Sequence, residues 1–169
     1  LYRDLHRQSR VNQQPIPYFR RDPDESILDF DEVVLGYDEE TAILEASRCM
    51  QCPEPQACLL SCPASNDVAE AIWLISEGHF AEAGVVFAQT NPLAEVCGRV
   101  CPNLCQQGCV LNGRNGPVSI GKLEILASEA ARKAGLLTIP LPETRSGKQV
   151  AVVGSGPAGL TAAEDLVKL

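Results

Sequence analysis

Residues 97–109 read CGRVCPNLCQQGC, which places Cys97, Cys101, Cys105 and Cys109 at even four-residue steps. On a continuous helix such a series drifts by about 40° per step, so four side chains could not face one point. Pro102, with Gly98 and Gly108, argues against a continuous helix here. The segment therefore reads as a series of turns.

A second cysteine group lies upstream. CMQCPEPQACLLSCP has the form C-x2-C-x5-C-x3-C-P, with Cys49, Cys52, Cys58 and Cys62. Four soft thiolates this close in sequence can wrap an iron–sulfur cubane, with amides of the looping backbone donating to its sulfurs. The x5 gap departs from the bacterial ferredoxin spacing of x2, x2, x3. Zinc remains an alternative, although its usual pattern sets two C-x2-C knuckles some 15–20 residues apart. A disulfide framework would need a secretory context, of which the sequence shows no sign. Cys101-Pro102 repeats the Cys-Pro of the first group, so each group is expected to bind one cluster.

The chain has 169 residues and a net charge of −8. Such a balance disfavours nucleic acid or an anionic membrane surface as the main partner, and suits a basic protein partner or simple solubility. No apolar run approaches the roughly 20 residues needed to span a bilayer. LYRDLHRQSR has no apolar signal core, and a cytoplasmic protein is expected. The chain opens on Leu1 and closes inside a helical pattern, TAAEDLVKL, as a piece of a longer protein would.

Four segments follow from the pattern. Residues 1–37 are polar and proline-bearing, with an apolar patch at Ile27, Leu28 and Phe30, and read as an extended arm. Residues 38–135 form an α-helical domain. Asp38 supplies an N-cap, followed by acids in the first turn, for a helix delivering Cys49. Asn66 or Asp67 caps a helix with Val68, Ile72 and Ile75 at helical spacing, ending near Gly78. A third helix covers Phe80 to Gln89, before TNP forces a turn, and a fourth runs from a Ser119 cap to about Ala134. Residues 136–147 read as a linker, and 148–169 as an apolar β-run, a Gly-rich turn and a helix.

On the fourth helix Ile120, Leu123, Ala127, Ala130 and Ala131 share one face, and Glu124 falls in its middle, while Ile125 and Leu126 point elsewhere. A carboxylate buried there must be paired, hydrogen-bonded or bound to metal, since an unpaired buried charge costs several kcal/mol. One reading pairs it with Arg99 or Arg114. The other makes it an iron ligand. His6 and His79 sit at no ligand spacing, Trp73 reads as packing, and no nucleophile–base arrangement is evident, so no catalytic side chain is assigned.

The closing motif VVGSGPAG matches G-x-G-x-x-G between an apolar run and a helix. Gly154 permits the tight turn, Gly156 lets backbone approach a pyrophosphate, and Gly159 allows close helix packing, with Ser155, Pro157 and Ala158 completing the loop at the helix N-terminus. A dinucleotide is expected there. The ribose-binding acid, about 20 residues further on, would lie beyond Leu169.

Taken in order, DFDEVVLGYDEETAILEASRCMQC, the Cys-Pro, CGRVCPNLCQQGC, GPVSIGKLE and VAVVGSGPAGL resemble the small subunit of NADPH-dependent glutamate synthase. Dihydropyrimidine dehydrogenase and the large subunit of NADH-dependent ferredoxin:NADP oxidoreductase open with a similar module. The resemblance spans residues 15–169. It implies a mainly α, helical domain with two [4Fe-4S] clusters, then the first β-turn-α unit of an FAD-binding Rossmann-type domain, with NAD(P)H bound further on. It also implies electron transfer from FAD through the clusters to a redox partner subunit or domain, in a hetero-oligomer. The first cluster's ligands would be Cys49, Cys52, Cys58 and Cys62. The second's would be Cys101, Cys105, Cys109 and Glu124, leaving Cys97 as a bystander. An adaptor in another redox assembly and a zinc-built interaction module are the competing readings.

Overall fold

The computed structural model describes residues 6–169, so the first five residues of the expected arm lie outside it. The described chain is mainly helical, with a single two-stranded sheet. The arm carries α1 (Arg7–Val11), β1 (Phe19–Arg20), α2 (Pro23–Ser26) and β2 (Val34–Gly36). It is thus less extended than its composition predicts. Asp22 caps α2 through the amide of Asp24, with Pro23 already fixed for the first helical position. The Arg21–Asp29 ion pair closes the excursion between the strands, which pair antiparallel with Phe19 opposite Gly36.

The helical body follows as α3 (Glu39–Ala46), α4 (Ala57–Ser61), α5 (Val68–Ser76), α6 (Phe80–Ala88), α7 (Ala94–Val100), α8 (Leu104–Gln107) and α9 (Ile120–Lys133). Asp38 accepts from the Thr41 amide at 2.8 Å and Asp67 from that of Glu70 at 3.1 Å, so both expected acidic caps form. Ser119 sits at the N-cap of α9 without a side-chain bond to it. α3 stops at Ala46, and Cys49 is delivered by the turn beyond it, its amide bonded to the Ala46 carbonyl.

α9 is the central element. Ile72, Ile75, Phe87, Leu123 and Ala127 are buried around it, and each large apolar side chain contributes about 1.5–3 kcal/mol by leaving water. α6 lies so close to α9 that a Cβ on Gly84 would collide with the Ala127 carbonyl. Ile125, expected off the core face, is buried at 8% exposure because α7 covers that flank. Two neighbours rather than one explain why the amphipathic pattern of this helix looked imperfect.

A buried ion pair fastens the arm to the body. Glu45 and Arg48 are 0% and 1% exposed and meet at 2.7 Å. Glu45 also accepts from the amides of Ile16 and Ser119, while Arg48 donates to the carbonyls of Gly116 and Pro117. Two buried charges survive because nearly every polar valence is satisfied.

Residues 150–153, expected as a strand, form none among the described residues, and Val153 stands 98% exposed. A strand is completed by pairing with a neighbour, and among the described residues this run pairs with neither β1 nor β2. The helical half of the motif does form, as α10 (Pro157–Val167). No helix of the described residues is long and apolar enough to cross a membrane.

Candidate metal centre

Two thiol-lined pockets sit side by side beneath α9. Cys49, Cys52, Cys58 and Cys109 line the first, with Val68, Ile72, Val118 and Ile120. Cys62, Cys97, Cys101 and Cys105 line the second, together with Glu124 and Asn91. Val68 and Ile120 belong to both walls, so the pockets are separated by a thin apolar partition.

This grouping differs from the one by sequence neighbourhood: Cys62 and Cys109 have changed places. The cause is the packing of α4 against α8. Cys58 at the start of α4 lies near Cys109 just past α8, and Cys62 at the end of α4 lies near Cys105 on α8. The two short helices meet at Gly108, where a Cβ would strike the Ser61 hydroxyl and the Ala57 carbonyl. Each pocket thus takes thiols from both groups. The sequence did carry a signal for this, since in two-cluster ferredoxins the cysteine before proline ligates the other cluster.

Burial sets the chemistry of the thiols. It pushes Cys49 up to about 12, Cys58 to about 11 and Cys105 to about 12, and the neighbouring thiols add to each shift. Such thiols are neutral near pH 7, and four thiolates around one pocket are stable only with positive charge among them. Amide donors are already aimed at sulfur. The Asn103 N–H reaches Cys101 Sγ at 3.4 Å, and Gln51 Nε2 reaches Cys49 Sγ at 3.5 Å. Gln51 and Asn103 are both left-handed, with φ of 44° and 56°, a conformation that folds the loop back around the preceding cysteine.

Arginines from the arm, which sequence reading missed, strap the first loop. Arg7 donates to the carbonyls of Met50 and Gln51, and Arg10 to that of Cys49. Nothing in the spacing of α1 marks these contacts, which span about 40 residues.

Glu124 is 7% exposed at the wall of the second pocket. Burial raises its carboxyl to about 7, against a lowering bond from Asn91. The expected arginine partners do not serve it. Arg99 is engaged by Glu32 and Glu129, and Arg114 is exposed. A carboxylate that shares a pocket with four thiols, without a cationic partner among the described residues, is a donor suited to iron.

Among the described residues no group of three or more His, Cys, Asp or Glu side chains gathers as a single metal ion requires. Zinc would draw its sulfurs to about 3.8 Å from one another, given Zn–S bonds of about 2.3 Å. A cubane takes one ligand at each of its four irons, and each pocket is lined by at least four Cys or Glu side chains.

In the glycine-rich loop Gly154 takes a φ of 110°, and Gly156 and Pro157 begin α10. Ser155, Ala158 and Gly159 complete the turn, with Gly159 backed onto the Gly154 carbonyl.

Residues 26–136 match the family described as dihydropyrimidine dehydrogenase domain II, 4Fe-4S cluster. The NADPH glutamate synthase small chain of Azospirillum brasilense is 40% identical over 82% of this chain and 29% of its own length. The NAD-dependent dihydropyrimidine dehydrogenase subunit PreT of Escherichia coli is 37% identical over 80% of this chain and 33% of its own. The putative oxidoreductase AegA of the same organism is 35% identical over 95% of this chain and 25% of its own. The chain spans about a quarter to a third of these relatives. With the family matched over most of its length and two cysteine-lined pockets under one helix, the chain belongs to the 4Fe-4S family of dihydropyrimidine dehydrogenase domain II.

Proposed function

We propose that this chain is the electron-transfer module of an NAD(P)H-dependent FAD/iron–sulfur oxidoreductase resembling the glutamate synthase small subunit. Cys49, Cys52, Cys58 and Cys109 would hold one [4Fe-4S] cluster, and Cys62, Cys101, Cys105 and Glu124 the other. Such clusters, when bound, accept and release single electrons. The observation that carries the reading is the pair of adjacent pockets, one with four suitable donors and the other with five, each with a largely apolar lining.

The chain's own residues account for binding and insulation. Val68 and Ile120, both buried, line the two pockets and make the apolar wall between them. The Gln51 and Asn103 donors to sulfur stabilise thiolate charge. Deprotonating thiols as strongly raised as Cys49 and Cys105 makes loading release protons.

The loop from Gly154 to Gly159, through Ser155, Gly156, Pro157 and Ala158, would bear the pyrophosphate of FAD at the start of α10, with NAD(P)H bound beyond this stretch. Electrons would then leave to a redox partner subunit. Both steps rest on the motif and on the names of relatives that are oxidoreductases.

The test is anaerobic purification of the full-length protein with iron, sulfide and flavin analysis. Iron and sulfide for two clusters, reducible by NADH or NADPH and detected by EPR, is expected. Colourless protein holding zinc and no sulfide would overturn the reading.

A further inference from the structure

The second pocket holds five candidate donors, and a thiolate suits iron better than a carboxylate does. Cys97 and Glu124 both line it, so something must favour the oxygen ligand. Asn91 touches both. Its Nδ2 donates to Glu124 Oε1 at 3.3 Å, and its Oδ1 accepts from the Cys97 thiol at 3.6 Å.

The orientation of this amide is fixed by chemistry. The backbone N–H of Leu93 donates to Oδ1 at 3.2 Å, and a backbone N–H cannot accept. The oxygen must therefore face Leu93 and Cys97, and the NH2 group must face Glu124. The backbone is held as well: the Asn91 amide donates to the Phe87 carbonyl, and the Asn91 carbonyl accepts from Ala94. Thr90 alongside donates to the buried Asn66 carboxamide oxygen. Asn91 thus holds the Glu124 carboxyl through Oε1 at the pocket wall.

We propose that Asn91 is the positioning residue of the second pocket, presenting Glu124 to the cluster, with the Cys97 thiol and the Leu93 amide locking its orientation. The proposal rests on the assignment of Glu124 as a ligand. Cys97 then acts as a donor to Asn91. A thiol is a weak hydrogen-bond donor, so Cys97 trims the alignment that the Leu93 amide largely sets.

The experiment is a redox titration of the full-length protein followed by EPR, with iron and sulfide counts and the first cluster as internal reference. Asn91→Ala removes all three side-chain bonds, to Glu124, Cys97 and the Leu93 amide. It should shift the midpoint potential and line shape of the second cluster while leaving the first unchanged. Asn91→Asp keeps the oxygen facing Leu93 and Cys97 but lacks the donor to Glu124; it should shift the second cluster too, and it reads the same effect if Asn91→Ala fails to fold. Cys97→Ser, still a donor, should match the unmodified protein, and Cys97→Ala should shift less than Asn91→Ala.

Second-cluster potentials and spectra unchanged in both Asn91 variants, with Glu124→Ala still losing that cluster, would overturn this inference alone. Loss of the second cluster in Cys97→Ser, with Glu124→Ala retaining it, would overturn the ligand assignment as well.

Discussion

Exchange of Cys62 and Cys109 between the two pockets is tested by asking which cluster each cysteine serves. Serine at either position leaves a pocket with three of its four donors, and each variant should lose one of two clusters, hence about half the iron and sulfide. That magnitude is the same for any grouping, so identity must be read against references. Cys49→Ser marks loss of the first cluster and Cys101→Ser loss of the second, because neighbourhood and geometry agree on both of these. The shared contacts around Cys58 and Cys109, and around Cys62 and Cys105, then give the outcome. Cys109→Ser should reproduce the EPR spectrum of Cys49→Ser, and Cys62→Ser that of Cys101→Ser. On the proposed ligand sets the two clusters would be distinguishable, one with four thiolates and the other with three and a carboxylate. The opposite pairing, Cys109→Ser resembling Cys101→Ser, would refute the packing of α4 on α8 as the origin of the site.

Three further outcomes follow from particular contacts. Gly108→Ala forces α8 away from α4 at Ser61 and Ala57, and should lower iron in both sites by displacing Cys105 and Cys109 together; full iron content would contradict it. Glu45→Ala strands the buried Arg48 and the amides of Ile16 and Ser119, which should cost about 3–5 kcal/mol in denaturant unfolding; a loss below about 1 kcal/mol would count against the network. In the cluster-free chain, burial raises the Glu124 carboxyl from 4.5 to about 7. A raised folded-state value means its stabilisation is complete below the unfolded value and lost as pH climbs to about 7, a fall of about 3 kcal/mol. Glu124→Gln should flatten that slope, and an unchanged slope would show that the carboxyl titrates normally.

Local chemistry was legible wherever neighbours in sequence suffice. Asp38 and Asp67 cap their helices as their positions imply. The helical spacing of Val68, Ile72 and Ile75 found α5, and TNP marked the break after α6. Glu124 stood out because a charge on an apolar face has to be explained, and the structure places it at the second pocket, served by neither arginine. The expected strand at residues 150–153 is absent because strands are completed by other strands, not by composition.

By itself, then, the sequence determined that this is a helical protein with eight clustered cysteines, one misplaced carboxylate and a glycine-rich turn opening a helix. Those properties depend on residue type and on spacing over a few turns. Only the tertiary structure decided which thiols share a pocket, that Ile125 is covered by α7, that Arg7 and Arg10 strap the first loop, and that Asn91 stands between Cys97 and Glu124. Each depends on how two elements cross, and a crossing is settled by close approach at sites such as Gly108, where no side chain stands in the way.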